Sequence, residues 1–111
     1  MGNIKFNREE KNEIEILKCL LQLYTSWKKE LVIFSDSEKE EIISSCIQVV
    51  DKIIEDSKLT DEEINIINDT LIYKNDSIER VARKYFYSDS GLRNKINIIL
   101  KKMLDQIKKD S

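Results

Sequence analysis

Apolar side chains recur at steps of three and four along most of the chain, which is the spacing that lines one face of an α-helix. One such stretch covers residues 8–31 and a second covers residues 38–56, with a break at residues 34–37. Because the break is short, the two helices are expected to pack against each other as a hairpin. The predicted inward side chains are Ile14, Leu17, Leu20, Leu21, Tyr24, Trp27 and Leu31 in the first helix, widened by Ile16 and Leu23, and Ile42, Ile43, Cys46, Ile47, Val49, Val50, Ile53 and Ile54 in the second.

Three more helices are predicted in the second half of the chain. Thr60-Asp61-Glu62-Glu63 is typical of a capping box, in which the Thr60 hydroxyl accepts a hydrogen bond from the Glu63 amide and the Glu63 carboxylate accepts one from the Thr60 amide. A short helix over residues 78–85 and a longer one over residues 89–108 follow. The inward residues of the three are predicted to be Ile64, Ile66, Ile67, Leu71, Val81, Ala82, Tyr85, Leu92, Ile96, Ile99, Leu100, Met103, Leu104 and Ile107.

The fold class is therefore predicted to be all-α with about five helices. An N-terminal helical hairpin in residues 1–58 precedes a three-helix unit in residues 59–111. The turn residues agree with this, because the sequence contains no proline and only two glycines, Gly2 and Gly91. Folds rich in β-hairpins need more residues of these two types.

Composition also argues against catalysis. The sequence contains no histidine, which is the usual metal ligand and the usual general base near neutral pH. Cys19 and Cys46 are the only cysteines and cannot supply a four-ligand zinc site. The acidic runs fall in first helical turns, where carboxylates stabilise a helix. We therefore expect no enzymatic activity, no metal site and no cofactor.

The location expected from the sequence is cytoplasmic. No stretch approaches the about 18 consecutive apolar residues of a membrane-spanning helix, so no membrane partner is expected. The first residues are too highly charged for a signal peptide. In a reducing compartment Cys19 and Cys46 are expected to be free thiols, and we interpret both as small buried apolar side chains.

Charge is unevenly distributed along the chain. Residues 79–111 contain nine basic and four acidic side chains, a net charge of +5, whereas residues 1–78 contain ten basic and 17 acidic ones, a net charge of -7. A basic end is typical of a small nucleic-acid-binding protein. Lysines late in the last helix can instead stabilise its negative C-terminus. Arg93 and Lys95 lie in the first turns of that helix, so they indicate an anionic partner.

Residues 77–96, SIERVARKYFYSDSGLRNKI, have the layout of a helix-turn-helix. Ala82 is the small residue that lets the two helices approach closely, and Ser88 can cap the second helix. Leu92 and Ile96 are predicted to face the core. The polar side chains predicted to face outward are Ser90, Arg93, Asn94 and Asn97.

The segment VARKYFYSDSGLRNKINIILKKML resembles the helix-turn-helix of sigma-factor region four. Its apolar–alanine, hydrophobic–serine and valine–arginine pairs and its lysine-rich tail correspond here to Val81-Ala82, Tyr87-Ser88, Leu92-Arg93 and Lys101-Lys102-Met103-Leu104. With the preceding helix, the resemblance covers about residues 59–107. In length and layout the chain is similar to small phage and prophage regulators of the ArpU and RinA type. Two residues depart from the family, because Phe86 replaces the usual turn glycine and Gly91 replaces a common threonine.

The resemblance implies a regulator that binds double-stranded DNA with its last helix in the major groove. Arg93 would donate two hydrogen bonds to guanine, and Asn94 or Asn97 would pair with adenine. The phosphate contacts would come from Ser88 with the free amides beside it, and from Lys84, Arg80 and Lys95. Residues 1–58 would supply a homodimer contact or an RNA polymerase contact.

A protein-binding module is the alternative function, for example a phage-encoded inhibitor of a host or defence nucleoprotein complex. Its acidic N-terminal half would then imitate nucleic acid. The aromatic residues do not discriminate between the two functions. Phe86 and Tyr87 are interpreted as core residues rather than base-stacking residues, and Tyr24 and Trp27 as core or dimer-interface residues.

Overall fold

The computed structural model describes residues 5–33, 37–74 and 76–110, and in these ranges the chain is helical with no β-strand. The helices are α1 (Arg8–Ile33), α2 (Ser37–Asp56), α3 (Asp61–Ile67), α4 (Ile78–Lys84) and α5 (Asp89–Asp110). α1 and α2 pack against each other as a hairpin. The predicted all-α class, the five helices and the hairpin are therefore confirmed. Residues 34–36 of the predicted break lie outside the described residues.

The capping box at the start of α3 forms as predicted. The Glu63 amide donates to the Thr60 hydroxyl over 3.1 Å, and the Thr60 amide donates to the Glu63 carboxylate over 2.9 Å. Two backbone donors that no helical carbonyl could reach are thereby satisfied.

After Ile67 the helix widens into one π-helical turn, Asn68–Ile72. The Tyr73 amide donates to the carbonyl oxygen of Asn68, five residues earlier, over 2.8 Å. The wider turn places Ile72 in the core, with 4% of its surface exposed, and leaves Leu71 only partly buried. The sequence predicted Leu71 as the inward residue because it assumed the α-helical spacing of 3.6 residues per turn. A π turn contains one extra residue, which that spacing does not include.

One buried cluster joins all the helices. It includes Leu21 of α1, Val50 of α2, Ile66 of α3 and Val81 of α4. The members from α5 are Leu92, Ile96, Ile99, Leu100, Met103 and Leu104. α5 contacts α1, α2, α3 and α4, so it is the central element of the fold. The core thus draws on residues both before and after residue 58.

Several side chains predicted to face inward are exposed instead. Ile16, Leu23, Ile42 and Val49 are 69%, 50%, 65% and 58% exposed, because they point away from the core cluster. Cys19 is also exposed and Cys46 is partly buried, so the interpretation of Cys19 as a buried apolar residue is wrong. Among the residues that the structure describes, no helix is long and apolar enough to cross a membrane.

Candidate nucleic-acid interface

α4 is a short helix with a capped start and a buried inner face. The Arg80 amide donates to the Ser77 hydroxyl over 3.3 Å, which caps the helix. Val81 and Ala82 are fully buried, and α4 packs against α5. The small side chain of Ala82 suits this close approach, as the helix-turn-helix pattern predicted.

The turn between α4 and α5 has the hydrogen bonds of a Schellman motif. The Tyr87 amide donates to the Ala82 carbonyl oxygen over 2.8 Å, and the Phe86 amide donates to the Arg83 carbonyl oxygen over 3.3 Å. Phe86 adopts a φ of 64°, the left-handed conformation that glycine usually occupies at this position. The turn therefore keeps the geometry typical of a glycine turn although the residue is bulky.

The side chain of Phe86 is 97% exposed, so its interpretation as a core residue is wrong. A left-handed residue at the end of a helix projects its side chain away from the packed helices. Tyr87 is partly buried against the core, as interpreted, and its hydroxyl donates to Glu62 over 3.0 Å. Burial, with this contact to Glu62, raises the pKa of Tyr87.

Ser88 caps α5, which confirms its predicted role at the helix start. Its hydroxyl accepts a hydrogen bond from the Gly91 amide over 3.0 Å, and its carbonyl oxygen accepts one from the Leu92 amide over 2.8 Å. A Cβ atom at residue 91 would lie 2.9 Å from the Ser88 hydroxyl oxygen. The close contact between Gly91 and this cap gives a physical reason for the glycine.

The side chains predicted to read bases lie along the first two turns of α5. Ser90 and Arg93 are exposed, whereas Asn94 and Asn97 are partly buried. Arg93 and Asn97 line one open groove whose other wall comes from α1, α4 and the π turn; the other lining residues are Lys18, Leu71, Ile78 and Ile96. Lys18 lies 75 positions before Arg93 in the chain, and no local sequence signal indicated that the two would share a groove.

Lys95 has an anionic partner inside the protein. Its ammonium lies 3.2 Å from the carboxylate of Glu63, and that of Lys102 lies 2.8 Å from the same carboxylate. Glu63 itself is fully buried. Burial acts to raise the pKa of Glu63, but Lys102, the Thr60 amide and Lys95 outweigh it and lower the pKa to about 2. The position of Lys95 in the first turns therefore no longer requires an anionic partner outside the chain.

The predicted phosphate contacts on α4 differ in their surroundings. Lys84 donates to Asp69 over 3.1 Å, and this hydrogen bond raises the pKa of Lys84. The Tyr85 hydroxyl donates to the same Asp69 oxygen over 3.1 Å. Arg80 is largely exposed and lies 3.9 Å from Asp76, a pair that solvent weakens.

Two lysines late in α5 pair with glutamates in the first turns of α1. Lys101 lies 2.7 Å from Glu10, and Lys108 lies 3.1 Å from Glu13. Two of the basic groups late in α5 are therefore compensated by carboxylates of the same chain.

Arg83 and Arg93 differ from these lysines. Both side chains are exposed, and within the described ranges neither forms an ion pair. Both act on Glu79 at longer range. The pKa of Glu79 is lowered mainly by hydrogen bonds with its own amide and the Ser77 hydroxyl, and the positive charges of Arg93 and Arg83 lower it further. These two guanidinium groups are therefore accessible to an external anion.

Comparisons with known proteins add no relative. No protein-family model matches the sequence, and no curated protein or solved structure matches the chain. The resemblance to sigma-factor region four rests on the motif residues alone. In the part of the chain that the structure describes, no group of three or more acidic or cysteine side chains is arranged to hold a metal ion.

Proposed function

We propose that this chain is a sequence-specific DNA-binding regulator of transcription, of the kind encoded by phages and mobile elements, that places the start of α5 in the major groove. The observation that carries the proposal is the unit formed by α4, the Schellman turn and the Ser88-capped start of α5. This is the construction of a helix-turn-helix, in which the first residues of the second helix contact base edges. The exposed guanidinium of Arg93 lies among these first residues of α5.

Each side chain of the unit has a role in the proposal. Arg93 donates two hydrogen bonds to a guanine, while Asn97, in the same groove, contacts a neighbouring adenine. Ser90, one turn before Asn94 on the same face, contacts the adjoining base or phosphate. Arg80 binds a phosphate, and so does the amino end of α5 with its Ser88 hydroxyl.

The internal contacts change two of the roles predicted from the sequence. Lys95 holds the buried carboxylate of Glu63, so it fixes α5 against α3 instead of reaching a phosphate. Lys84 binds DNA only in competition with Asp69. We therefore expect Arg93 and Arg80 to contribute more to binding than Lys84 and Lys95.

Selection of bound sequences from a random DNA pool tests the proposal. We expect a defined motif, and we expect Arg93→Ala to lose discrimination at one base pair, at a cost of about 1–3 kcal/mol or roughly 5- to 150-fold in affinity for the preferred base. Arg8→Ala is the matched control, because it removes an exposed arginine at the start of α1, far along the chain from the helix-turn-helix. An equal loss on every sequence would make Arg93 a phosphate contact, and no enrichment at all would overturn the proposal.

A protein-binding module is the second candidate function. The internal pairing of Lys95, Lys101, Lys102 and Lys108 favours it, because a basic end that is compensated within the chain attracts DNA less strongly. The salt dependence of DNA binding discriminates between the two candidates. A DNA-binding regulator loses affinity steeply as salt rises, whereas an inhibitor of another complex binds little DNA at any salt concentration.

A further inference from the structure

A polar surface runs along one side of α1 and continues the groove that contains Arg93. Its residues on α1 recur at steps of four, three and four, which places them on one side of the helix; they are Lys18, Gln22, Thr25 and Lys29. Lys18 lines the same groove as Arg93. Further along α1, the surface lines a second open groove together with the residues that follow the π turn. The polar members of this second groove are Gln22, Thr25, Ser26, Lys29, Tyr73 and Lys74.

The two grooves adjoin each other and carry only positive charge. Leu71 lines both of them, so they meet at this side chain. In the part of the chain that the structure describes, every charged residue that lines either groove is basic. Residues 1–78 as a whole carry a net charge of -7, so three lysines on one uniformly basic surface run against the charge of that part of the chain. We call the four charged residues the basic strip: Lys18, Lys29, Lys74 and Arg93.

The ammonium groups of the basic strip are accessible. Lys29 and Lys74 are exposed, and within the described ranges neither forms an ion pair. Lys18 lies 3.4 Å from Glu15, whose side chain is 71% exposed, and solvent weakens such a pair. The lysines that pair with the buried carboxylate lie on α5, outside the strip. The basic strip therefore keeps positive charge that an external anion can meet.

Neutral hydrogen-bond donors lie between the lysines. Gln22 is exposed on α1, and Tyr73 lines the same groove. Lys28 donates to the Tyr73 hydroxyl over 3.5 Å, which leaves the hydroxyl proton of Tyr73 able to donate in turn. Ammonium, amide and hydroxyl donors are the groups with which proteins contact the phosphates of a duplex. The chemistry of this surface therefore suits a row of phosphates.

We propose that the three lysines of the basic strip bind the sugar–phosphate backbone of the duplex whose bases α5 contacts, so that α1 and the end of the π turn belong to the DNA interface. The inference rests on the proposed function and adds a second element to its binding surface. Helices in contact have axes about 8–10 Å apart, and the major groove is about 12 Å wide. When the start of α5 lies in the groove, α1 beside it therefore lies at the rim of the groove, where the phosphates are.

The length of the basic strip fits several phosphates. Lys18 and Lys29 are 11 positions apart, which is about 16 Å along α1. Each strand of B-DNA has one phosphate per about 3.4 Å of the duplex axis, so a strip of this length along the axis passes about five phosphates of one strand. The three lysines are thus spaced to make separate contacts. Arg93 then supplies the base contact, and the lysines supply affinity that does not depend on the base sequence.

The salt dependence of DNA binding tests the proposal. The probes are the duplex motif that the unmodified chain selects from a random pool and an unrelated duplex of equal length, titrated at about 50–200 mM NaCl. In a Lys18→Gln/Lys29→Gln/Lys74→Gln chain, the slope of log affinity against log salt should become less steep by about 2–3. Affinity at low salt should fall at least about tenfold on both duplexes. The preference for the motif should remain, because the base contact of Arg93 is intact.

Lys52→Gln/Lys58→Gln/Lys109→Gln is the matched control. It removes three exposed lysines that line neither groove, so the net charge changes equally while the basic strip stays intact. We expect the control to keep the salt slope of the unmodified chain to within about one unit. Equal losses in the two variants, or a Lys18/Lys29/Lys74 variant that binds as the unmodified chain does, would overturn this inference and leave the helix-turn-helix proposal standing. An unmodified chain that binds no DNA would overturn both.

A thiol placed in the second groove tests where the duplex lies. Ser26 and Ser45 are both exposed, and each donates to the carbonyl oxygen four residues earlier in its helix, so they form a matched pair. In a Cys19→Ser/Cys46→Ser chain, the alkylation rate of the Ser26→Cys variant should fall at least about fivefold when the motif duplex is bound, because a covered surface excludes the reagent. The rate of the Ser45→Cys variant on α2 should not change. Equal rates for Ser26→Cys with and without DNA, in a chain that binds the duplex, would place α1 outside the interface and overturn the proposal.

Discussion

Phe86 combines two features that each cost stability, a left-handed backbone and an exposed aromatic side chain. The left-handed conformation brings the Cβ atom close to the carbonyl oxygen that follows, at a cost of about 1–2 kcal/mol for a residue other than glycine. The two Schellman hydrogen bonds, together with the packing of α4 and α5 on either side, hold the residue there. Strain of this kind is frequent in segments that contact a partner.

Replacement of Phe86 by glycine should stabilise the fold. Phe86→Gly removes the backbone strain and loses no buried contact, so we expect the free energy of unfolding to rise by about 1 kcal/mol, as measured by urea denaturation. Phe86→Ala is the matched control, since it removes the aromatic ring but keeps a Cβ atom in the left-handed region. A Phe86→Gly chain no more stable than Phe86→Ala would contradict the presence of strain in this turn.

At the scale of the helix, one buried carboxylate connects α3 with α5. Glu63 satisfies the amide of Thr60 and pairs with Lys95 and Lys102, which lie seven residues apart on one side of α5. A buried carboxylate without these partners would be strongly destabilising. The contact therefore fixes the rotation of α5 and, with it, the direction in which Arg93 points.

The low pKa of Glu63 makes stability depend on pH. Its pKa in the folded chain is about 2, below the ordinary value of 4.5, so the contribution of Glu63 is fully present above about pH 5 and is lost as the pH falls toward 2. A difference of this size corresponds to about 3 kcal/mol. Urea denaturation at pH 7 and at pH 3 should show that Glu63→Gln lowers stability at pH 7 and removes part of the loss at low pH.

Glutamine suits this test because it can still close the capping box, so the substitution removes the charge and retains the cap. Glu55→Gln is the control, since it neutralises an exposed carboxylate on α2 and should leave both the stability and its pH dependence nearly unchanged. If Glu63→Gln were as stable as the unmodified chain at pH 7, the ion pairs with Lys95 and Lys102 would contribute nothing to the fold.

Local signals in the sequence predicted the helices and their caps well. Thr60, Glu63 and Ser88 act within three residues of their partners, so their hydrogen bonds follow from spacing alone. The ion pair between Lys95 and Glu63 does not follow from spacing, because Glu63 lies 32 positions before Lys95 and meets it only when α3 packs on α5. The DNA-binding roles of Arg93 and Asn97 stay predictions, although the structure does bring the two side chains into one groove.

At the scale of the whole molecule, the two halves of the chain share one core. Leu17 and Leu21 of α1 belong to the same buried cluster as Leu100 and Leu104 of α5. Two ion pairs, Lys101–Glu10 and Lys108–Glu13, join the same helices at the surface. The sequence divided the chain after residue 58 because the motif resemblance begins at about residue 59, but apolar periodicity does not reveal which helices share a core.

The shared core leads to a prediction about unfolding. If residues 1–58 and 59–111 depend on each other, both should unfold in one transition, since small chains with a continuous core unfold cooperatively. Trp27 is the single tryptophan and packs partly buried against the core from α1, so its fluorescence reports on the hairpin. Far-UV circular dichroism reports on all helices, and the two signals should give the same midpoint in urea.

A Trp27→Phe/Tyr87→Trp chain moves the fluorescent probe to the start of α5 and should again give coincident curves. Separate midpoints for the two tryptophan positions would show that the halves unfold independently, and the packing of α1 on α5 would then contribute little to stability.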